Sequence, residues 1–215
     1  MIIIDIETIP DQSTNAREEI ASTIKPPAQM KKAETINDWH LGAGKYEGEK
    51  LKAVEEKYLK TSFDGGYGQI CCICVDDNGD ERTYIDANGE AALLADFWQD
   101  LRIESPYFIA HNAKFDIPFL WHRSVINQVQ PPRFFKPHGR NGSDHYCTME
   151  SWAGFNGRIS LNKLAKILGL GQKTDGMDGS QVWPEYQKGN IDKIADYCLD
   201  DVRLTKEIYK KLTFK

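Results

Sequence analysis

Three short stretches of this chain carry residues whose types and spacing could do chemistry. The first, MIIIDIETIP, runs four apolar residues into Asp5, with Glu7 two positions on. On a strand, residues two apart point to the same face. Carboxylates beside a core are costly unless something positive compensates them. The pair is therefore either an exposed strand end or a cation holder. The second stretch, HNAKFDIPFL, ends a strand at His111 and Asn112 and sets Asp116 near the start of a helix, where the helix dipole alone would favour an acid. The third, DYCLDDVRLT, places Tyr197 and Asp201 four apart, on one face of a helix. Asp200 is turned away by about 100°, and Asp196 falls one turn earlier. Each acid alone could equally be a solvated surface residue.

The surrounding pattern supplies elements to position them. Residues 2–6 and 69–75 (QICCICV) read as strands buried on both faces. RTYI at 82–85 is a hairpin partner for the second, after the turn DDNGD. Residues 89–102 show helical apolar spacing, SPYFIAH gives a strand at about 106–111, and AKFDIPFLWHRSV a helix, with Pro118 tolerable only in its first turn. HYCTM reads as a last short strand, and helices are expected at about 160–168, 178–187 and 191–212. This order predicts an α/β fold with a mixed sheet. Two neighbouring strands would bring the acids of the first two stretches to one sheet edge, where open α/β sheets commonly bind ligands.

Residues 11–66 break the rhythm. They are rich in Lys, Glu, Gln and Asn, and ETINDWHLGAGKYEGEKLKAVEEKYLK alternates charge as a solvated helix does. The segment reads as an insertion into a single domain spanning 1–215, either a surface excursion or a substrate-guiding arm. A second loop, from Arg133 to Arg140, carries Phe134, Phe135, Lys136 and His138. It could be a stacking and phosphate-binding edge or an ordinary surface loop. GLGQKTDGMDG lacks P-loop spacing, so no nucleotide cradle is read there.

Composition narrows the classes. With 215 residues, 40% of them hydrophobic, the chain can bury one real core. No stretch approaches a membrane span of roughly 20 apolar residues, and no signal peptide is visible. The five cysteines suggest neither a zinc site nor a disulfide framework, and read as small buried hydrophobes of a reducing cytoplasm. A net charge of -5 argues against a large nucleic-acid-coating surface, but not against a cleft that handles one strand end.

Together, D-I-E on the first strand, H-N-x-x-F-D after a middle strand and Y-x-x-x-D on a C-terminal helix resemble the three exonuclease motifs of the DEDD superfamily. The tyrosine marks the DEDDy branch. No histidine lies five residues before either acid of the third motif, which counts against the DEDDh branch. More narrowly, the chain is similar to predicted 3′-5′ exonucleases related to the proofreading domain of family B DNA polymerases. The KPPA segment, K-T-D-G-M-D-G-S-Q-V-W at 173–183 and Y-C-x-x-D-V-R-L-T at 197–205 share that likeness.

The resemblance implies a ribonuclease H-like fold, with a central mixed sheet of about five strands flanked by helices. It implies that Asp5, Glu7, Asp116 and Asp201 bind two divalent cations, Asp5 bridging both. Such converging carboxylates would otherwise repel and hold protons. Hard oxygen ligands suit Mg²⁺ or Mn²⁺ better than Zn²⁺, and two ions can activate water and stabilise the leaving 3′-oxygen. Tyr197 would orient the water. By the same likeness Thr8 and Asn112 would meet substrate, while Phe115 would stack on it or pack in the core. The expected activity is 3′-5′ release of nucleoside 5′-monophosphates from single-stranded ends, DNA favoured over RNA. The chain stops at Lys215 with no room for a polymerase, so a replication or repair role would be played in trans. The alternatives are a 3′-trimming ribonuclease resembling ribonuclease D and a catalytically silent nucleic-acid-binding module.

Overall fold

The computed structural model describes residues 1–101, 103–171 and 177–215, apart from the side chains of residues 45 and 47. The start of the 173–183 stretch and the middle of GLGQKTDGMDG lie outside the described residues. In chain order the strands are β1 (Ile2–Ile9), β2 (Gln69–Asp77), β3 (Asp80–Ile85), β4 (Phe108–Ala110) and β5 (His145–Cys147). The α-helices among the described residues are α1 (Ala16–Thr23), α2 (Ala33–Leu41), α3 (Glu47–Leu59), α4 (Glu90–Leu101), α5 (Ala113–Ile126), α6 (Thr148–Ala153), α7 (Leu161–Ile167), α8 (Val182–Gln187) and α9 (Ile191–Thr213). The chain forms two compact units: Met1–Ile9 with Ile70–Lys215, and Pro10–Gln69.

The first unit holds one five-stranded sheet in the order β3-β2-β1-β4-β5. β2 and β3 are antiparallel, whereas β1–β4 and β4–β5 are parallel, so the sheet is mixed as expected. The β2–β3 hairpin turns through Asn78 and Gly79, with φ of 55° and 100°. An Asn-Gly pair supplies the two positive φ angles that match the twist of a two-residue hairpin. Along β1 the side chains alternate between two cores: Ile2, Ile4 and Ile6 join one, Ile3 and Ile9 the other. Asp5 and Glu7 share the second parity.

The first core is closed by α4 and α5. Leu93, Leu94, Phe97, Trp98 and Leu101 form the buried stripe of α4, a helical period. Behind them Arg123 grips Glu90 through a buried ion pair at 2.7 Å, and Glu90 also accepts from the Ile70 backbone N–H at 2.7 Å and from Asn127 at 2.8 Å. One carboxylate thus ties α4, α5 and the start of β2. The second core lies under α9, whose buried Ile194, Cys198, Asp201, Val202, Thr205, Ile208 and Tyr209 follow helical spacing on one face.

Three local expectations need correction. HYCTM is strand only to Cys147; Thr148 opens α6, and a six-residue helix is too short for periodicity to announce it. Pro118 is not in the first turn but is the sixth residue of α5. The N–H it lacks would have bonded the Lys114 carbonyl, and Lys114 is exposed, so water can take that acceptor. The loop from Arg133 to Arg140 does not offer all its aromatics to a ligand. Phe135 is buried in the first core, 5.0 Å from Trp98 and 6.0 Å from Phe108 between ring centroids. The Phe134 N–H bonds the Glu104 carbonyl, which places this loop at the end of the sheet where β4 and β5 begin.

The second unit, Pro10–Gln69, is helical. Arg17 of α1 pairs with both oxygens of Glu55 on α3, at 2.8 and 3.1 Å, and lies 3.5 Å from the Tyr58 ring centroid. Trp39 of α2 is buried. The alternating charge of α3 covers an exposed face, as solvation requires, while Val54 and Tyr58 face inward.

Candidate active site

β1 outruns its neighbour. The parallel register pairs Ile2 with Phe108 and Ile3 with Ile109, and β4 stops at Ala110. Beyond that point β1 has no β4 partner, and a backbone N–H left there needs another acceptor. The carboxylate of Asp116, in the first turn of α5, accepts a hydrogen bond from the Ile6 backbone N–H. The acid is thereby set against Ile6, the residue that separates Asp5 from Glu7 in the chain.

From the opposite side, α9 packs on β1. The Cys198 thiol lies 3.5 Å from both the Asp5 carbonyl and its Oδ2, one residue after Tyr197 and three before Asp201. Asp201 is buried at 7% exposure. Asp200 instead faces outward and pairs with Arg203 at 3.2 Å, and Arg203 in turn holds Glu81 at 2.7 Å. Tyr197 hydrogen bonds Asp201 and packs its ring against the second core.

The electrostatics record this crowding. Burial first, then the Asp201, Glu7 and Asp116 carboxylates, push the Asp5 pKa well above the usual carboxylate range. Asp116 is pushed up to about 7, chiefly by burial; its own backbone N–H and that of Ile6 oppose the shift, and Asp201 adds to it. Burial and the neighbouring Asp201, Glu7 and Asp5 raise Tyr197 above its ordinary value. Acids that repel one another at a partly buried sheet edge match a site that is completed by cations. The oxygens suit hard divalent ions. Asp5, Glu7 and Cys198 also offer ligand atoms within 4.8 Å of one another, so the donor set does not by itself choose between Mg²⁺ and Mn²⁺.

The other predicted contacts fall differently. Asn112 is exposed at the N-cap of α5, its carbonyl accepting from the Phe115 N–H at 2.7 Å. Phe115 is partly buried against the first core, 5.3 Å from Phe119. Thr8 is half-buried on β1, on the side opposite Glu7 by strand alternation.

A profile of predicted 3′-5′ exonucleases related to the exonuclease domain of PolB matches residues 57–214. The chain belongs to this family. The stretch matched to the exonuclease family contains Asp116, Tyr197 and Asp201, while Asp5 and Glu7 lie before it, on the strand the sheet sets beside them. No curated protein matches the chain. No helix among the described residues is long and apolar enough to cross a membrane.

Two features of the site escape sequence reasoning. The thiols of Cys72, Cys74 and Cys198 lie within 4.8 Å of one another, a trio made by packing α9 on β2. The only hint is that Cys72 and Cys74 share a strand face. The other is the pair of contacts made by His111, next to Asn112. Its Nε2 lies 2.9 Å from the Ile159 carbonyl and its Nδ1 2.9 Å from the Thr148 hydroxyl. Burial lowers the ring's pKa, which favours the neutral form. A carbonyl only accepts, so Nε2 carries the proton and Nδ1 accepts from Thr148.

Proposed function

We propose that this chain is a metal-dependent 3′-5′ exonuclease that releases nucleoside 5′-monophosphates from single-stranded DNA ends. The observation that carries the reading is the approach of Asp116 to β1, with Asp5 sensing the Asp201, Glu7 and Asp116 carboxylates. Asp5, Glu7, Asp116 and Asp201 are the metal-holding residues. Divalent cations bound there supply charge neutralisation and activation of water at a phosphodiester. Pro10–Gln69 is an insertion within one exonuclease domain.

The chain's own residues have defined tasks in this reading. Tyr197, its pKa raised, stays protonated and acts as a hydrogen-bond donor rather than a base. The hydroxyl is anchored on Asp201 and aligns the attacking water. Asn112, exposed beside the acids, contacts the strand, and Thr8 meets the terminal sugar. Phe115 stiffens α5 by packing on Phe119, a positioning role that keeps Asp116 on the Ile6 N–H. The preference for DNA draws on kinship with the PolB exonuclease domain.

The test is degradation of matched 5′-labelled single-stranded DNA and RNA with Mg²⁺, with Mn²⁺ and with chelator. The expected result is a ladder shortening from the 3′ end, metal-dependent, faster on DNA and absent in Asp116→Asn. Faster loss of RNA favours the ribonuclease reading. Binding without hydrolysis under every metal condition favours the silent module.

A further inference from the structure

We infer that the turn Gly154–Gly157 is a base-stacking platform, where Phe155 stacks on an unpaired base upstream of the strand's 3′-terminal nucleotide. The inference rests on the exonuclease reading for the identity of that strand. Phe155 is 79% exposed and Trp152, on α6 just before it, 44% exposed. Three residues apart, they put two large aromatic side chains at the surface of one short stretch.

This display is built. The Gly157 N–H closes the turn on the Gly154 carbonyl at 3.0 Å, and the Gly154 N–H bonds the Glu150 carbonyl at 2.9 Å. Gly154 has φ of 80° and Asn156 of 60°, conformations open to Gly and Asn. A Cβ on Gly157 would lie 2.1 Å from the Ala153 carbonyl oxygen, so the turn is packed as tightly as its backbone permits. Phe155 stands at its tip. His111 holds both flanks, binding Thr148 before the turn and Ile159 after it. The platform is therefore fixed to the residue that follows β4, at the sheet edge where Asp116 enters.

Charge favours a polyanion there. Lys114, two residues before Asp116, sets its ammonium 4.2 Å from the Phe155 ring centroid and pairs with Glu150 at 3.2 Å, which offsets that acid's charge. From Thr148 to Lys166 the chain carries Arg158, Lys163 and Lys166 against Glu150 alone, a basic stretch in a chain of net charge -5. Arg158 is exposed beside the turn. A stacking aromatic flanked by cations is how proteins hold single strands without reading their sequence.

The experiment measures binding and turnover of the full chain separately. Affinity for a fluorescein-labelled oligothymidylate is read by anisotropy in Ca²⁺, and hydrolysis is followed on the same oligonucleotide and on the small 4-nitrophenyl ester of thymidine 5′-monophosphate. Phe155→Ala should weaken oligonucleotide binding about tenfold or more and raise KM on it. Turnover of the small ester should not change, and Phe155→Tyr should restore binding. An oligonucleotide with abasic sites upstream of its 3′ end should bind wild type and Phe155→Ala equally. Equal affinity of the two proteins for intact oligonucleotide overturns the platform and leaves the exonuclease reading standing. A wild type that hydrolyses neither substrate, yet loses binding in Phe155→Ala, overturns the exonuclease reading and leaves the platform. A wild type that neither binds nor cuts overturns both.

Discussion

The Asp116 carboxylate accepts a hydrogen bond from the backbone N–H of Ile6, the residue between Asp5 and Glu7. The bond exists because β4 ends at Ala110 while β1 continues to Ile9. It joins an acid on α5 to a strand that its own helix does not pair with. The same crowding gives the site a pH signature. A free carboxyl titrates near 3.9, whereas Asp116 is pushed up to about 7 and Asp5 moves in the same direction. Between about pH 4 and 7 the unfolded chain is ionised there and the folded protein keeps its protons. Stability of the metal-free protein should fall as pH rises through that window. Thermal melts in chelator from pH 5 to 8 should show it, and Asp116→Asn should reduce the slope. Millimolar Mg²⁺ should raise Tm more at pH 8 than at pH 5; a flat metal-free profile would count against the crowded site.

Asp200 and Asp201 make a sharper test because they are neighbours with different surroundings. Asp201 is buried beside Tyr197, while Asp200 is engaged by Arg203 on the outer face. Asp201→Asn should abolish metal-dependent exonuclease activity, a loss of about two orders of magnitude or more. Asp200→Asn removes only an exposed ion pair, worth about 0–1 kcal/mol, and should retain most activity. Equal loss in two folded variants would sink the assignment.

Much of this arrangement is legible in the sequence, for reasons particular to each part. Strand alternation puts Asp5 and Glu7 on one face, and the four-residue step puts Tyr197 with Asp201. Both periods are local, and the Asn-Gly turn is too. What packing decides is not written locally. The Ile6 bond to Asp116 depends on β4 being shorter than β1, and strand ends are set by what the next segment packs on. Phe135 sits in a loop with Arg and Lys neighbours, so its place against Trp98 is invisible until the fold closes. Cys198 meets Cys72 and Cys74 only because α9 crosses β2. His111 could be read as capping or core; its hold on Thr148 and Ile159 spans 37 and 48 residues.

The buried pair Glu90–Arg123 sets how firmly α4 and α5 stand behind the site. Both side chains are almost inaccessible, so removing the cation strands a carboxylate in the core. Arg123→Met should cost about 3–5 kcal/mol of stability. The double variant Glu90→Gln/Arg123→Met should recover part of it, since glutamine keeps an acceptor for the Ile70 N–H. Urea melts of the three proteins check this; a double variant no more stable than Arg123→Met would show that the stranded charge is not the source of the loss.

Tyr197 separates positioning from proton transfer. Burial and the neighbouring carboxylates raise its pKa above the ordinary phenol value, so the phenol is protonated at neutral pH and is expected to position the water, not to ionise. Tyr197→Phe keeps the ring that packs on the second core and deletes only the hydroxyl. Folding stability should change by about 1 kcal/mol, and Mn²⁺ binding by calorimetry should hold. Turnover under conditions where chemistry limits the rate should drop by about one to two orders of magnitude. The shape of the pH–rate profile should survive, because the ionising groups that set it are elsewhere. A lost limb in that profile would make the tyrosine an acid or base after all, and an unchanged turnover would remove it from the reaction.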